Sequence, residues 1–137
     1  MVNCRPIQRG SIKNTVYVEL YDAATPFLPK TAFAYNTTGI ILSYVLKRGA
    51  RVAITPVTLA SASAAWASGG VILVDDTNQP GLVRFDLPDA MFTTYDGATD
   101  SVIFTIVATG YRTSSVRIAL IDKPDVALLA GSTRVNS

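Results

Sequence analysis

The sequence predicts an all-β domain, an antiparallel β-sandwich of about seven or eight short strands with one short helical turn. Short segments in which apolar and polar residues alternate recur along the chain, and this period of two is typical of half-buried strands. Turn-forming residues separate these segments roughly every ten residues, which is the spacing of sandwich domains. An open barrel built from the same strands remains an alternative.

Residues 69–92 are the most informative stretch of the chain. Residues 71–74 predict an apolar strand that runs into a turn at Asp75 and Asp76. Pro80 and Gly81 precede a second strand, in which Val83, Phe85 and Leu87 alternate with Arg84 and Asp86. Because successive side chains of a strand point to opposite faces, the first set belongs to the core and the second to the other face.

The sequence predicts that this strand ends at Pro88. Its missing N–H needs no partner in the first turn of a helix, so a single helical turn is expected at residues 88–92. Asp89 then faces the positive end of the helix dipole, and Met91 or Phe92 packs the turn against the sandwich.

The other elements follow from the same alternation. Strands are predicted at residues 15–21 and 40–47, and a partner strand at 52–57 carries Pro56 at an edge or a bulge. Residues 31–35 are a candidate short strand, whereas two prolines make 22–30 an irregular loop. Residues 60–70 predict a loop or a short helical turn.

The clearest hairpin joins residues 101–109 to residues 115–121 through a turn at 110–112. Its inward residues, together with those of the strand after Gly81, form the predicted core: Val83, Phe85, Leu87, Val102, Phe104, Ile106, Val116, Ile118 and Leu120.

Composition excludes several classes of function. The chain has 137 residues, and only 16% of them are charged, against roughly 25% in an average soluble domain. Either partners cover part of the surface, or serine and threonine side chains solvate it. The net charge of +2 is too small to indicate nucleic-acid binding. No segment has the roughly 18 consecutive apolar residues of a membrane span, and residues 1–10 lack the apolar region of a secretory signal.

The residue types also argue against an enzyme. The chain has no histidine and a single cysteine, Cys4, so it has no Ser-His-Asp or Cys-His arrangement, no imidazole metal ligand and no internal disulfide. Asp75 and Asp76 are predicted turn residues, and residues 96–100 lack the ligand spacing of a calcium loop. We expect no catalytic residue, cofactor, metal or small-molecule substrate.

Three groups of residues are candidates for binding. Lys47, Arg48 and Arg51 form a basic turn that is expected to be a solvated hairpin end. Tyrosines stack on sugars in many binding sites, so we considered a carbohydrate face from Tyr17, Tyr21, Tyr35, Tyr44, Tyr95 and Tyr111. Trp66 either caps the sandwich core or anchors a contact with another subunit.

The alternating pattern divides the chain into three parts. We predict an N-terminal arm at residues 1–10, the sandwich at 11–122 and a C-terminal tail at 123–137. Val126, Leu128 and Leu129 make the tail apolar enough that contact with neighbouring subunits is expected. With Trp66, these three residues are the candidate subunit contacts.

Three segments together resemble structural proteins of tailed bacteriophages: VYVELYD at residues 16–22, PGLVRFDLPDA at 80–90 and VRIALID at 116–122. Their order is similar to that of the Ig-like β-sandwich domains in phage baseplate, neck and tail-fibre proteins. The resemblance covers roughly residues 11–122, and it transfers no functional residue because the shared positions are structural.

This resemblance implies an Ig-like sandwich and a location in the virion. The expected function is that of a non-enzymatic structural protein, which binds copies of itself and neighbouring proteins of the capsid, neck, tail or baseplate. A carbohydrate- or host-surface-binding sandwich module is the alternative.

Overall fold

The computed structural model describes residues 4–93 and 101–121. Within these ranges nine strands form two sheets, and one short helix joins them. This arrangement confirms the predicted all-β sandwich. The elements are β1 (Cys4–Gln8), β2 (Thr15–Glu19), β3 (Ile41–Leu46), β4 (Arg51–Ile54), β5 (Val57–Thr58), β6 (Gly70–Asp75), β7 (Gln79–Asp86), α1 (Ala90–Thr93), β8 (Ser101–Ala108) and β9 (Tyr111–Ile121).

One sheet has five strands in the order β1-β9-β8-β3-β4, and the other has four in the order β2-β7-β6-β5. Most neighbouring strands are antiparallel, as predicted. Two edge pairs are parallel instead, namely β1 with β9 and β5 with β6. The two sheets are connected on both sides of the sandwich. On one side, Thr55 and Pro56 join edge strand β4 to edge strand β5. On the other side, Asp22 after β2 forms an isolated β-bridge with Tyr111 at the start of β9.

The core lies between the two sheets, and all nine predicted core residues are buried in it. The ring of Phe85 packs edge-on against that of Phe104, with 5.3 Å between the ring centres. Phe33 packs in the same manner against Phe85 and Tyr111. Such edge-to-face contacts add to the stabilisation that comes from burying the rings.

The predicted helical turn after Pro88 is present, and it is displaced by one to two residues. Helix α1 spans Ala90–Thr93, and Met91 and Phe92 are buried against the core. Asp89 precedes the helix, and its carboxylate accepts the backbone N–H of Lys13 at 2.7 Å. The carboxylate therefore ties the corner to the segment before β2 instead of lying within the first turn of the helix.

Three expectations differ from the structure. Residues 31–35 form no strand, because Ala32 has a φ of +68° and strands do not admit that backbone conformation. The predicted strand at 52–57 is divided between β4 and β5 in different sheets, with Pro56 at the crossing. Residues Cys4–Gln8 belong to the sheet as β1 instead of forming a separate arm, and Ile7 packs against the core.

Candidate interaction surfaces

The outer face of the five-stranded sheet exposes several large apolar side chains. Pairing places Ile41 of β3 beside Val107 of β8, and Val45 beside Ile103. Ile41, Ile103 and Ile121 keep 40–45% of their surface exposed. Six outward-facing residues are defined here as the apolar face: Ile41, Val45, Ile103, Val107, Ala119 and Ile121.

Polar and charged side chains divide this face. Ser43, Thr105 and Ser115 form one row across β3, β8 and β9. In the next row, Arg51 of β4 lies beside Val45 and Arg117 of β9 lies beside Ile103. In an antiparallel sheet with one exposed face, the strand residues that point to solvent are normally polar. The large exposed isoleucines on either side of the polar row are the feature that suits a protein–protein contact.

The outer face of the four-stranded sheet has the opposite character, since it holds a buried ion pair. Arg84 and Asp86 face outward on β7, yet both are buried. The guanidinium donates from Nε and Nη2 to the two carboxylate oxygens, each at 2.9 Å. This is the paired two-bond geometry that favours arginine over lysine. The hydrogen bonds that Arg84 donates to the Asp86 carboxylate raise the pKa of Arg84 above its ordinary value.

The same pair holds the 60–70 segment against the sheet. Arg84 Nη1 donates to the carbonyl of Ala62 at 2.9 Å, and the N–H of Ala67 donates to Asp86 Oδ2 at 3.0 Å. The Thr15 hydroxyl donates to the other carboxylate oxygen of Asp86 at 2.8 Å. The segment therefore covers the ion pair, and each charge has several partners.

Trp66 lies in this segment and is half-buried. Its indole N–H donates to the carbonyl of Asn14 at 3.1 Å. The core cluster and the partly buried apolar side chains that pack on it do not include Trp66, so the proposal that it caps the core is wrong. Its role as a subunit contact stays a prediction. Val126, Leu128 and Leu129 lie outside the described residues.

Two of the six tyrosines come together in one open groove. The groove has a volume of about 540 Å³ and lies between β2 and β9, where Tyr17 and Tyr21 line it with Glu19 and Arg112. Serine and threonine side chains at 113–115 line the rest of its wall. Tyr44 and Tyr111 are buried instead, and Tyr95 lies outside the described residues.

The Tyr21 hydroxyl donates to the Glu19 carboxylate, and this bond raises the pKa of Tyr21. Tyr21 and Glu19 therefore form a hydrogen-bonded pair on the wall of the groove.

The loop between β2 and β3 carries the most exposed large apolar side chain among those described, and the sequence pattern did not single it out. Phe27 is 81% exposed and Leu28 is 56% exposed. Pro26 and Pro29 flank them, and a short β-bridge joins Tyr21 to Pro29 at the base of the loop. An apolar dipeptide between two loop prolines was the available signal.

The carboxylates that the sequence suggested for chemistry lie at a turn, with Asp75 as the last residue of β6 and Asp76 directly after it. Asp75 accepts hydrogen bonds from the backbone N–H groups of Thr77 and Asn78 and from the Asn78 side-chain amide, which lower its pKa. Asp76 accepts the N–H of Ala32 at 2.8 Å. Lys47, Arg48 and Arg51 lie at the β3–β4 hairpin end, as predicted, and residues 96–100 lie outside the described part of the chain.

No cluster of three or more His, Cys, Asp or Glu side chains suited to a metal ion occurs within residues 4–93 and 101–121. Over the same ranges, no helix is both long enough and apolar enough to cross a membrane. Comparison with known proteins finds no matching family model, no matching curated protein and no matching solved structure.

Proposed function

We propose that this protein is a non-enzymatic structural component of a tailed-phage virion, which binds copies of itself and neighbouring virion proteins. The observation that carries the proposal is the apolar face of the five-stranded sheet, where three isoleucines are 40–45% exposed. A permanent neighbour that covers this face removes apolar surface from water, and such burial is the main favourable term in protein association.

Two further observations support the proposal. The low charged fraction of 16% suits a chain whose surface is covered by partners, because charged residues are depleted at the centres of interfaces. The resemblance of residues 11–122 to sandwich domains of phage structural proteins indicates the virion as the location. Capsid, neck, tail and baseplate are all compatible with this fold.

Incorporation into particles tests the proposal. Tagged protein is supplied during phage growth, and particles purified by density gradient are probed for the tag. We expect the wild-type protein in the particles and at least about a tenfold loss for Ile103→Lys, which places a charge in the apolar face. Ile12→Lys is the matched control, because Ile12 is 63% exposed outside that face. Particles that lack the wild-type protein would contradict the proposal.

Carbohydrate binding is the second candidate, and the groove that contains Tyr17 and Tyr21 favours it. Exposed aromatic rings beside hydroxyl, carboxylate and guanidinium groups are the side chains that hold sugars. Glycan-array binding that is lost in Tyr17→Ala and kept in Tyr35→Ala would support this function. Tyr35 is the control because it is 39% exposed and is not part of the groove lining.

A further inference from the structure

The Phe27 loop and a groove at the opposite side of the sandwich have complementary properties. The tip of the loop, residues 26–28, is called the knob. Its sequence is Pro-Phe-Leu, and it contains no charged residue. The knob lies on the side where β2 and β9 form adjacent sheet edges, because Tyr21 and Asp22 at its base bridge to Pro29 and Tyr111.

Hydrogen bonds hold the knob in one shape. The N–H of Leu28 donates to the carbonyl of Thr25 at 3.0 Å, and the N–H of Asp22 donates to the carbonyl of Leu28 at 3.0 Å. Below them, the N–H of Lys30 donates to the carbonyl of Leu20 at 2.9 Å. Because proline restricts the backbone at both ends of the dipeptide, little backbone entropy remains to be lost when Phe27 is bound, and the main entropic cost is the ordering of its side chain.

The receiving site lies on the other side, between edge strands β4 and β5 and the start of α1. This edge groove has a volume of about 390 Å³. Its lining contains no charged residue, and it is mostly apolar: Tyr44, Val52, Ala53, Ile54, Thr55, Val57, Ser68, Pro88 and Ala90. Docking an aromatic side chain there removes no charge from water, so burial of apolar surface proceeds without a desolvation penalty of that kind.

We infer that the knob of one copy docks in the edge groove of the next copy, an inference that rests on the proposed function because it assumes self-association. The two surfaces lie on opposite sides of one molecule, and therefore one molecule cannot satisfy both. The contact is head-to-tail, and repeated copies form a closed ring or an open filament, depending on the rotation between neighbours. Phe27 is the anchor of the contact, as buried aromatic residues often are at interfaces.

Sedimentation velocity over a range of concentrations tests this contact. We expect the wild-type protein to form species larger than a dimer. Phe27→Ser removes the knob and Val52→Lys places a charge at the groove, and each should weaken association about 30-fold or more, as loss of an interface anchor does. Ile12→Ser is the matched control for Phe27→Ser, because it also removes an exposed apolar side chain. Should Val52→Lys not fold, Ala53→Lys replaces it at the rim, where Ala53 is exposed.

Mixing the two variants gives the decisive result. Phe27→Ser retains an intact groove, and Val52→Lys retains an intact knob. A head-to-tail contact therefore predicts that an equal mixture forms heterodimers that grow no further. Failure of the mixture to form dimers would overturn the inference, as would association of Phe27→Ser equal to that of Ile12→Ser. A monomeric wild-type protein would overturn both this contact and self-association, whereas an oligomeric Phe27→Ser that enters particles would leave the proposed function intact.

Discussion

At the scale of single residues, the Arg84–Asp86 pair places two opposite charges in the interior of the protein. Both side chains are almost fully buried, at 6% and 0% exposure. Removing one partner leaves the other charge without its counterion in a site of low polarity, and this usually costs more than the pair contributes when intact. The alternation of β7 predicted that both residues face away from the core, but it could not predict burial, which arises from the 60–70 segment.

We expect Arg84→Met to lower the free energy of unfolding by about 3–5 kcal/mol, because Asp86 then remains buried and charged. The double variant Arg84→Met/Asp86→Leu should recover part of this loss, since no buried charge remains. Denaturant unfolding followed by tryptophan fluorescence measures both. Arg112→Met serves as the control at an exposed arginine. An Arg84→Met protein as stable as the control would show that the pair is dispensable.

At the scale of elements, the turn between β6 and β7 depends on the charge of Asp75. Three hydrogen bonds to its carboxylate lower the pKa of Asp75, so the folded state binds this proton less tightly than the unfolded chain. The resulting stabilisation is present above the ordinary aspartate pKa, and it is lost as the pH falls through the lower, folded value.

Asp75→Ala should therefore lower the thermal midpoint at about pH 7, and its effect should shrink as the pH falls through the lowered pKa of the folded carboxylate. Calorimetry over a series of falling pH values measures the difference. Thr77→Ala changes the same turn without removing a titrating group, so its effect should not depend on pH in this way. A midpoint difference for Asp75→Ala that does not change at any pH at which the protein stays folded would contradict the assignment.

The crossing from β4 to β5 depends on close backbone packing. Gly69 has a φ of +80°, and a Cβ atom at this position would overlap the backbone carbonyl oxygen of Thr55. Gly10 has the same φ of +80° but has no neighbouring atom within 4 Å of such a Cβ. Comparing an alanine substitution at each glycine therefore separates the cost of the backbone conformation from the cost of the overlap between the Cβ atom and Thr55.

Gly10→Ala should cost about 1–2 kcal/mol through its backbone conformation alone. Gly69→Ala should cost roughly 1–3 kcal/mol more, because the crossing strands must move apart. Unfolding in urea measures both variants. Equal costs at the two positions would mean that the chain at the crossing adjusts freely.

Sequence periodicity predicted the strands that have one face in the core, and it failed where the chain leaves the sheets. Val83, Phe85 and Leu87 are buried as predicted, because alternation and burial are linked in a two-layer fold. Residues 52–57 were predicted as one strand through Pro56, although the chain changes sheets there. β1 escaped prediction because Cys4–Gln8 is a short edge strand with little alternation, and its pairing with β9 joins residues more than a hundred positions apart.

At the scale of the whole molecule, the sandwich has different surfaces on its two outer faces. The 60–70 segment covers the ion pair of the four-stranded sheet, whereas the apolar face of the five-stranded sheet carries no covering segment among the described residues. The residues that the sequence suggested for binding include none of the six residues of the apolar face, so they did not indicate that the two outer faces differ. Exposed isoleucines follow from the alternation of β3 and β8, but their grouping into one face depends on a strand order that the sequence does not reveal.

The last prediction concerns the C-terminal tail. Every described strand and the buried core end by Ile121, so deleting residues 124–137 should leave the thermal midpoint within a few degrees of the full-length value. Val126, Leu128 and Leu129 are the predicted contacts with neighbouring subunits, and their loss should weaken assembly measured by sedimentation. The triple variant Val126→Ser/Leu128→Ser/Leu129→Ser keeps the chain length and should reproduce the effect. Unfolding of the truncated protein would place the tail in the domain core, whereas unchanged assembly would exclude a role for it in subunit contact.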